Sequence, residues 1–369
     1  MATKIVEQCQ VAPPAGAPAE QLLKLLHMDM PFLCFPFSVK HLFFYKLHCS
    51  ESHFMDTIVP SLKNSLSLTL KHFLPMASKI FIDNNSGMPV SQYVAGQDSV
   101  PLTIVVSYTD FVNLSGYHPR DTAQLHSFSP HLSDTFSMTS RLDVLAIQLT
   151  LFPNQGVCIG IKNNHAICDG ASLILFINKW ASINKLNGDD DDDLAALPFY
   201  DRDLVKDGYM RSMECWRDVS PLLSHSASPV LISTVTLNKH MLEATFVLGV
   251  PDIRKLMNLV IASNSGLIRV SSFVVVCAYL WSCMAKSDAI AGEEVGDDEV
   301  DYFVFPVNCR GHLDPPLPEN YFGNCSALVT TESTYGKLKG EKGFSVAAEM
   351  ISIAIEKTVG NGVDGSVGK

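Results

Sequence analysis

A histidine, an aspartate four residues later and a glycine directly after it are the residues of this chain best suited to acid–base chemistry. They are His165, Asp169 and Gly170, within residues 163–170 (NNHAICDG). A neutral imidazole, with an ordinary pKa of about 6.5, can remove a proton from a hydroxyl group at neutral pH. A glycine after the aspartate permits a tight turn that brings the backbone close to a ligand. The pattern therefore predicts a general base at His165.

The flanking residues predict the elements that position this histidine. Residues 157–162 alternate in polarity and predict a strand, and residues 171–185 have the spacing of an amphipathic helix. Residues 144–152 are mostly apolar and predict a buried strand, and the PNQG sequence at 153–156 is typical of a turn. Two adjacent antiparallel strands are thus expected to lead into the histidine loop, and a helix to follow it.

Asp169 has two interpretations. It could orient the ring of His165, as the acid of a catalytic triad does. Alternatively it could face away and form an ion pair that holds the loop in shape. The second interpretation is favoured because the apolar residues Ile167 and Cys168 lie between the two side chains in the sequence. The expected partner is Arg310, at the end of a predicted strand, because a bidentate pair would tie the two halves of the chain together.

The same stretch contains one candidate nucleophile, Cys168. No cation stands beside it in the sequence to favour the thiolate, so filling apolar space is the better interpretation. A zinc site at His165 and Asp169 would need a third ligand at a defined spacing, and no such spacing is present. No G-x-S-x-G elbow occurs either. We therefore expect neither a metal nor a covalent intermediate.

The composition limits the class of protein and its partners. The chain has 369 residues, 47% hydrophobic and 18% charged, which is typical of a globular enzyme. Its formal charge of −11 and the lack of a basic stripe argue against nucleic acid as a partner. The ten cysteines form no C-x-x-C pair, and no apolar run suits a signal peptide or a membrane span. We expect a cytoplasmic monomer that does not bind membranes.

The length fits two domains of ordinary size. The five aspartates at 189–193 predict a solvated linker between them. We therefore expect an N-terminal domain at 1–185, an acidic crossover linker at 186–212, a C-terminal domain at 213–357 and a glycine-rich tail at 358–369.

The remaining periodic segments predict further elements. Helices are expected over 58–73, 274–284 and 344–357 and from Pro251 onward, and strands over 42–45, 90–94, 100–106, 235–237, 244–250 and 302–307. Residues 274–284 are expected to form a buried helix because they are strongly apolar over a length that exceeds most strands.

Taken together, these features resemble the plant BAHD family of coenzyme-A-dependent acyltransferases. The H-x-x-x-D-G match is supported by the stretches 42–45 (LFFY), 62–70 (LKNSLSLTL), 198–202 (PFYDR), 277–283 (CAYLWSC) and 308–310 (NCR). The YFGNC sequence at 321–325 is similar to the branch that acylates anthocyanin and other flavonoid or phenolic glucosides, often with malonyl-CoA. The resemblance covers roughly residues 1–357.

The resemblance implies a two-domain α/β fold like that of chloramphenicol acetyltransferase, with mixed sheets, flanking helices and a solvent channel between the domains. Coenzyme A and the glycoside would enter the channel from opposite sides. His165 would then take the proton of a sugar hydroxyl, which attacks the thioester in a ternary complex. Asp169 would be the structural partner of Arg310, next to Gly170.

The resemblance also implies that acyl-CoA is a co-substrate and that no cofactor is permanently bound. Lys255, Ser271 and Ser272 are candidates for the wall that contacts coenzyme A. The competing interpretation of these residues is a surface charge and a helix cap.

Two departures from the family pattern leave the substrate and the activity open. Some members that use malonyl-CoA carry a basic residue after Asp-Gly, where this chain has Ala171 and Ser172. Malonyl is the expected acyl group, and hydroxycinnamoyl is the second. The late Asp-Phe-Gly-Trp-Gly motif is absent, so the second domain is expected to be incomplete and to expose a sheet edge and apolar surface. The alternative function is a non-catalytic, truncated relative that binds a ligand or a partner protein.

Overall fold

A computed structural model describes residues 3–34, 38–133, 136–186, 197–224, 241–263, 270–291 and 295–360. The chain divides into two compact units, Met1–Thr245 with Pro318–Asn324, and Phe246–Leu317 with Cys325–Lys369. The first unit therefore continues past the predicted linker at 186–212 and takes in a short segment from late in the chain. The aspartate run at 189–193 lies outside the described residues. The predicted domain boundaries stay predictions.

Two main β-sheets form the framework of the first unit. Its strands are β1 (Thr3–Val11), β2 (Glu20–Lys24), β3 (Ser38–Lys46), β4 (Lys79–Ile82), β5 (Pro89–Val94), β6 (Val100–Ser107), β7 (Arg120–Asp121), β8 (Leu142–Asp143), β9 (Leu145–Phe152), β10 (Gly156–Asn164) and β11 (Leu242–Glu243). One sheet has the order β1-β6-β9-β10-β3, in which only β6 and β9 are parallel neighbours. The other has the order β2-β5-β4-β8, and β7 pairs with β11.

The hairpin of β9 and β10 lies inside the five-stranded sheet. Every residue of β9 is buried, because both faces of this strand are covered, and this explains why six of its eight residues are apolar. Asn154 makes the connecting turn with a φ of 58°, a left-handed conformation that asparagine tolerates. The predicted strands at 144–152 and 157–162 and their antiparallel pairing are confirmed. The strands predicted at 42–45, 90–94 and 100–106 are confirmed as β3, β5 and β6.

Helices cover the sheets of the first unit. They are α1 (Pro31–Cys34), α2 (Glu51–His53), α3 (Val59–His72), α4 (Phe111–Ser115), α5 (Thr122–His126), α6 (Gly170–Lys185) and α7 (Gly208–Ser224). The apolar faces of α3 and α6 contribute Leu66 and Phe176 to one core. Trp180 on α6 donates its indole N–H to Ser65 Oγ on α3 at 3.1 Å. The helices predicted at 58–73 and 171–185 are confirmed.

The second unit combines a two-stranded sheet with helices. Its elements are α8 (Val250–Ser263), α9 (Ser272–Ala291), β12 (Val300–Asn308), β13 (Ser326–Thr334), α10 (Tyr335–Lys339) and α11 (Gly343–Gly360). Strands β12 and β13 are antiparallel, and their inner face packs with α8, α9 and α11 into a separate core. Trp281 on α9 donates its indole N–H to Asp301 Oδ2 at 2.8 Å. The predicted helices from Pro251, at 274–284 and at 344–357, and the strand at 302–307, are confirmed.

Two expectations for the second half of the chain are wrong. Residues 244–250 form no strand, and Phe246 and Val247 are exposed, with no core of the described residues against which a sheet face could pack. Residues 274–284 are helical but not buried throughout: Val275 and Trp281 are buried, whereas Leu280 and others on the opposite face are exposed. The strand predicted at 235–237 lies outside the described residues.

The second unit exposes apolar side chains on one face of its sheet. The outer face of its sheet carries Tyr302, Val304 and Leu328, which are 59%, 54% and 67% exposed. Among the described residues, no helix combines the length and the apolar character needed to cross a membrane.

Candidate active site

The candidate active site is the loop between β10 and α6. Strand β10 ends at Asn164, whose side-chain Oδ1 accepts the backbone N–H of Ala166 at 2.9 Å and so starts the turn that contains His165. Asp169 ends the loop as the N-cap of α6, because its Oδ1 accepts the backbone N–H of Ser172 at 3.0 Å. A strand end and a capped helix therefore fix both ends of a loop of only a few residues.

The imidazole of His165 is half-buried and lies flat against an aromatic ring. Its centroid is 3.9 Å from that of Phe32, with 19° between the two planes. Its Nδ1 is buried and has no hydrogen-bond partner among the described residues. Nε2 is therefore the nitrogen that solvent or a substrate can reach. Asp169 does not orient the ring, so the triad interpretation is wrong, and stacking takes the place of a carboxylate as the orienting contact.

A buried amide bridges the histidine loop to a carboxylate. Asn324 donates its side-chain Nδ2 to the carbonyl oxygen of His165 at 2.9 Å and to Asp29 Oδ1 at 2.8 Å. Its backbone N–H also donates to Asp29 Oδ1, at 3.1 Å, and Leu26 N–H donates to Asp29 Oδ2 at 2.8 Å. Asp29 is fully buried. The backbone of the proposed base is thus held from behind by residues distant in sequence.

Arg202 lies behind this bridge as a buried cation. Its NH2 is 3.9 Å from Asp29 Oδ2, and its NH1 donates to the hydroxyl of Tyr321, with the guanidinium 5.1 Å above that ring. Gly323 leaves the space that the guanidinium fills: a Cβ there would lie 2.1 Å from Arg202 NH1, and its φ is +141°. The charge of Asp29 is therefore balanced inside the fold.

The segment that contains Tyr321, Gly323 and Asn324 is also hydrogen-bonded to the start of α6. Ser172 donates its hydroxyl to the carbonyl of Gly323 at 3.1 Å, and its oxygen accepts the Gly323 backbone N–H at 3.0 Å. Phe322 packs edge-on against Phe73 and Tyr200. Burial raises the pKa of the Tyr200 phenol well above its ordinary value, and its hydroxyl donates to His72 O at 2.8 Å. Tyr200 is therefore a structural residue and not a base.

Cys168 is buried in the main core, so the packing interpretation describes it and the nucleophile interpretation is wrong. Burial raises the pKa of the Cys158 thiol, in a separate cluster on β10, to about 12, which makes that thiol inert as well. Among the described residues, no group of three His, Cys, Asp or Glu side chains is arranged to hold a metal ion.

The backbone conformation at position 170 does not require a glycine. Gly170 is exposed at the first position of α6, outside the left-handed region, and a Cβ there would meet nothing within 4 Å. The expectation of a tight turn at Gly170 is therefore wrong. Whether a bound substrate approaches the backbone at this point stays a prediction.

The other predicted residues lie in the second unit. Arg310 starts a short 3-10 turn, where its side chain is buried and its NH1 donates to Asn308 Oδ1 at 3.2 Å. Ser271 Oγ accepts the N–H of Val274 at 3.3 Å and caps α9, while Ser272 and Lys255 are exposed. The pairing of Arg310 with Asp169 and the contacts with coenzyme A stay predictions.

Sequence analysis missed Phe32, Asp29 and the role of Asn324. Asp29 gave a usable signal, since it is a lone acid in the apolar stretch from Leu25 to Leu33, and buried acids need partners. The late motif at 321–325 was noted only as a resemblance.

The arrangement of the chain is that of solved coenzyme-A-dependent acyltransferases. Vinorine synthase superposes with a TM-score of 0.63 at 20% identity, over 96% of this chain and 76% of its own. The TRI101 protein of F. sporotrichioides, crystallised with coenzyme A and T-2, gives 0.58 at 12% identity, over 91% and 75%. The predicted fold class is confirmed.

The sequence model of the Transferase family matches residues 3–367. The chain belongs to this family, the BAHD acyltransferases. It is 39% identical to phenolic glucoside malonyltransferase 1 of Nicotiana tabacum, over 96% of this chain and 78% of that protein. It is 37% identical to the Dahlia pinnata malonyl-coenzyme A:anthocyanin 3-O-glucoside-6''-O-malonyltransferase, over 96% and 77%. A coumaroyl-CoA:anthocyanidin 3-O-glucoside-6''-O-coumaroyltransferase of Arabidopsis thaliana is 32% identical, over 95% and 76%.

Proposed function

We propose that this chain is an acyl-CoA-dependent O-acyltransferase that acylates a sugar hydroxyl of an anthocyanin, flavonoid or other phenolic glucoside. The observation that carries the proposal is the position of His165. Its Nε2 is open, its ring is held flat by Phe32, and its backbone is fixed by Asn324. A base held in this way needs no reorganisation before it accepts a proton.

In the proposed reaction, His165 Nε2 removes the proton of the sugar hydroxyl as the oxygen attacks the thioester carbonyl. The tetrahedral intermediate then collapses, the carbon–sulfur bond breaks, and the imidazolium returns the proton to the coenzyme A thiolate. The acyl group passes directly between substrates, which agrees with the burial of Cys168. We further propose that Asp169 and Arg310 hold the site in shape, and that Lys255, Ser271 and Ser272 contact coenzyme A.

The acyl group is proposed to be malonyl, with hydroxycinnamoyl as the second candidate. Relatives at 37–39% identity are named malonyltransferases, and one at 32% is a coumaroyltransferase. Ala171 is exposed and carries no charge, and the hydroxyl of Ser172 is engaged with Gly323. Neither residue offers a cation for the free carboxylate of malonate, so donor choice must be measured directly.

The test is acyl transfer by the purified chain, with malonyl-CoA and p-coumaroyl-CoA supplied separately to a panel of phenolic glucosides. Mass spectrometry of the product is the better readout, because the exposed thiol of Cys283 would react with thiol dyes. We expect His165→Ala to lower kcat/KM by about 10²–10⁴-fold. His53→Ala, which changes an exposed histidine, is the matched control and should leave the rate unchanged. Equal rates for the two variants would refute the role of His165.

A non-catalytic binding role gains no support from the relatives described above, all of which are named as transferases. It predicts ligand binding without product in the same assay. We also propose a cytoplasmic location, because the described cysteines are all free thiols, and a monomeric state. Gel filtration with light scattering and a fluorescent fusion would test the assembly state and the location.

A further inference from the structure

A pocket of about 480 Å³ lies in the first unit, and His165 is not among the residues that line it. Alternate residues of β3, namely Lys40, Leu42 and Phe44, contribute to its wall, as expected for one face of a strand. Leu42 and Phe44 pack on that face against a cluster that includes Phe111 of α4. The pocket therefore lies on the side of the five-stranded sheet that α4 and α5 cover.

Arg120 of β7 gives this pocket a buried positive charge that forms no ion pair with a described carboxylate, although Glu243 is its register partner across β7 and β11. The residue is 8% exposed. Its NH1 donates to Leu114 O at 2.8 Å and its NH2 to Thr245 Oγ1 at 3.0 Å, both neutral acceptors. Its Nε has no acceptor, and no carboxylate of the described residues forms an ion pair with it. A buried charge that no described carboxylate pairs with is costly, so its presence favours a bound anion.

The other polar groups of the pocket also favour a negatively charged ligand. Lys40 is exposed and pairs with no carboxylate of the described residues. Ser129 Oγ is buried without a partner in the described part of the chain, and His126 adds a ring nitrogen. Glu243 is the one acid among the described lining residues. Lys40 and Arg120 thus outnumber it by two charges to one, in a protein whose net charge is −11.

We propose that this pocket binds the phosphate group of a small molecule. Its cationic and hydroxyl donors come from β3, β7 and the segment after α5, and a tetrahedral oxyanion can accept from several directions at once. A volume of about 480 Å³ exceeds the needs of a phosphate ion, so the ligand carries an organic part as well. Two sources share this chemistry: coenzyme A itself and a separate phosphorylated metabolite.

Calorimetric titration with inorganic phosphate, at constant ionic strength, tests the proposal in the full chain. Lys40→Met should weaken phosphate binding by about ten-fold. Lys46→Met removes the same charge from the exposed end of the same strand, outside the pocket, and should change the dissociation constant by less than about two-fold. Neither lysine is buried, so both variants are expected to fold.

Two further arms identify the source of the phosphate. Adenosine 3',5'-bisphosphate and coenzyme A should compete with inorganic phosphate if the co-substrate occupies the pocket. Failure of both to compete assigns the pocket to a separate phosphorylated compound. His165→Ala should bind phosphate as the parent does, which keeps this result independent of acyl transfer. Absence of phosphate binding, or equal weakening in Lys40→Met and Lys46→Met, would overturn the proposal and indicate non-specific anion binding.

Discussion

Replacing Asn324 by alanine tests the bridge that holds the catalytic loop. The side-chain Nδ2 has two protons and uses them on two acceptors, Asp29 Oδ1 at 2.8 Å and the carbonyl of His165 at 2.9 Å. Asn324→Ala removes both hydrogen bonds and leaves a buried carboxylate with fewer donors. The backbone N–H of residue 324 would still donate to Asp29.

The size of the effect follows from these contacts. A hydrogen bond to a charged group contributes about 1.5–3 kcal/mol, and a buried carbonyl left without a donor costs about 1–3 kcal/mol. Part of this loss is returned, because the Oδ1 of Asn324 itself has no donor among the described residues. We expect a net loss of about 3 kcal/mol, equivalent to a decrease in Tm of about 6–12 °C for a unit of this size. A displaced base should also lower kcat by about ten- to hundred-fold.

Differential scanning calorimetry and steady-state kinetics measure the two effects. Asn320→Ala is the matched control, since this asparagine lies in the same segment and donates to one neutral acceptor, Leu197 O, at 2.7 Å. It should cost about 1 kcal/mol and leave kcat unchanged. If the two variants lost the same Tm and kept the same kcat, the bridge would not position the base.

Three further predictions concern a glycine, an arginine and a histidine. Gly323→Ala should lower Tm strongly, because its methyl group would overlap Arg202 NH1. Gly170→Ala is the control and should leave Tm unchanged, because a Cβ at that position meets nothing within 4 Å. Equal Tm values for the two variants would contradict this prediction. Arg310→Leu should lower the yield of folded protein before it changes KM, because this arginine is buried. Expression yield and KM are the measurements. A changed KM at full yield would contradict this prediction. Burial lowers the pKa of His27 from its ordinary 6.5, so its imidazole is protonated more readily in the unfolded chain than in the folded chain. Stability should therefore be lost as pH falls below about 6.5, and His27→Gln should flatten this part of the profile of Tm against pH.

The elements around the base could be predicted because their periodicity is strong and local. Strand β9 is covered on both faces and is therefore mostly apolar, while α6 shows one apolar stripe. The histidine loop between a strand and a helix followed directly. Local pattern failed at 244–250, where apolar residues such as Phe246 and Val247 are exposed and join no described core. Burial is a property of the surroundings, and a short window of sequence does not contain them.

The bridge behind the base could not be predicted, because its members are far apart in the chain. Asp29 and Asn324 are separated by 295 positions, and neither lies in a periodic element. The sequence shows that a buried acid needs partners but does not say which ones. The role of Phe32 could not be predicted either, because nothing in the sequence distinguishes an apolar residue that stacks on a histidine from one that only fills a core.

The chemistry of the late YFGN sequence explains why each residue type is needed. Asn324 must be an amide, because serine or threonine has one side-chain proton to donate, and an aspartate would set a second carboxylate against Asp29. Tyr321 must supply a hydroxyl to the guanidinium that balances Asp29, and position 323 must lack a Cβ where that guanidinium lies. This combination places a cation beside a buried carboxylate and holds the backbone of the base at the same time. The motif therefore supports the backbone of His165, although it lies more than 150 residues after it.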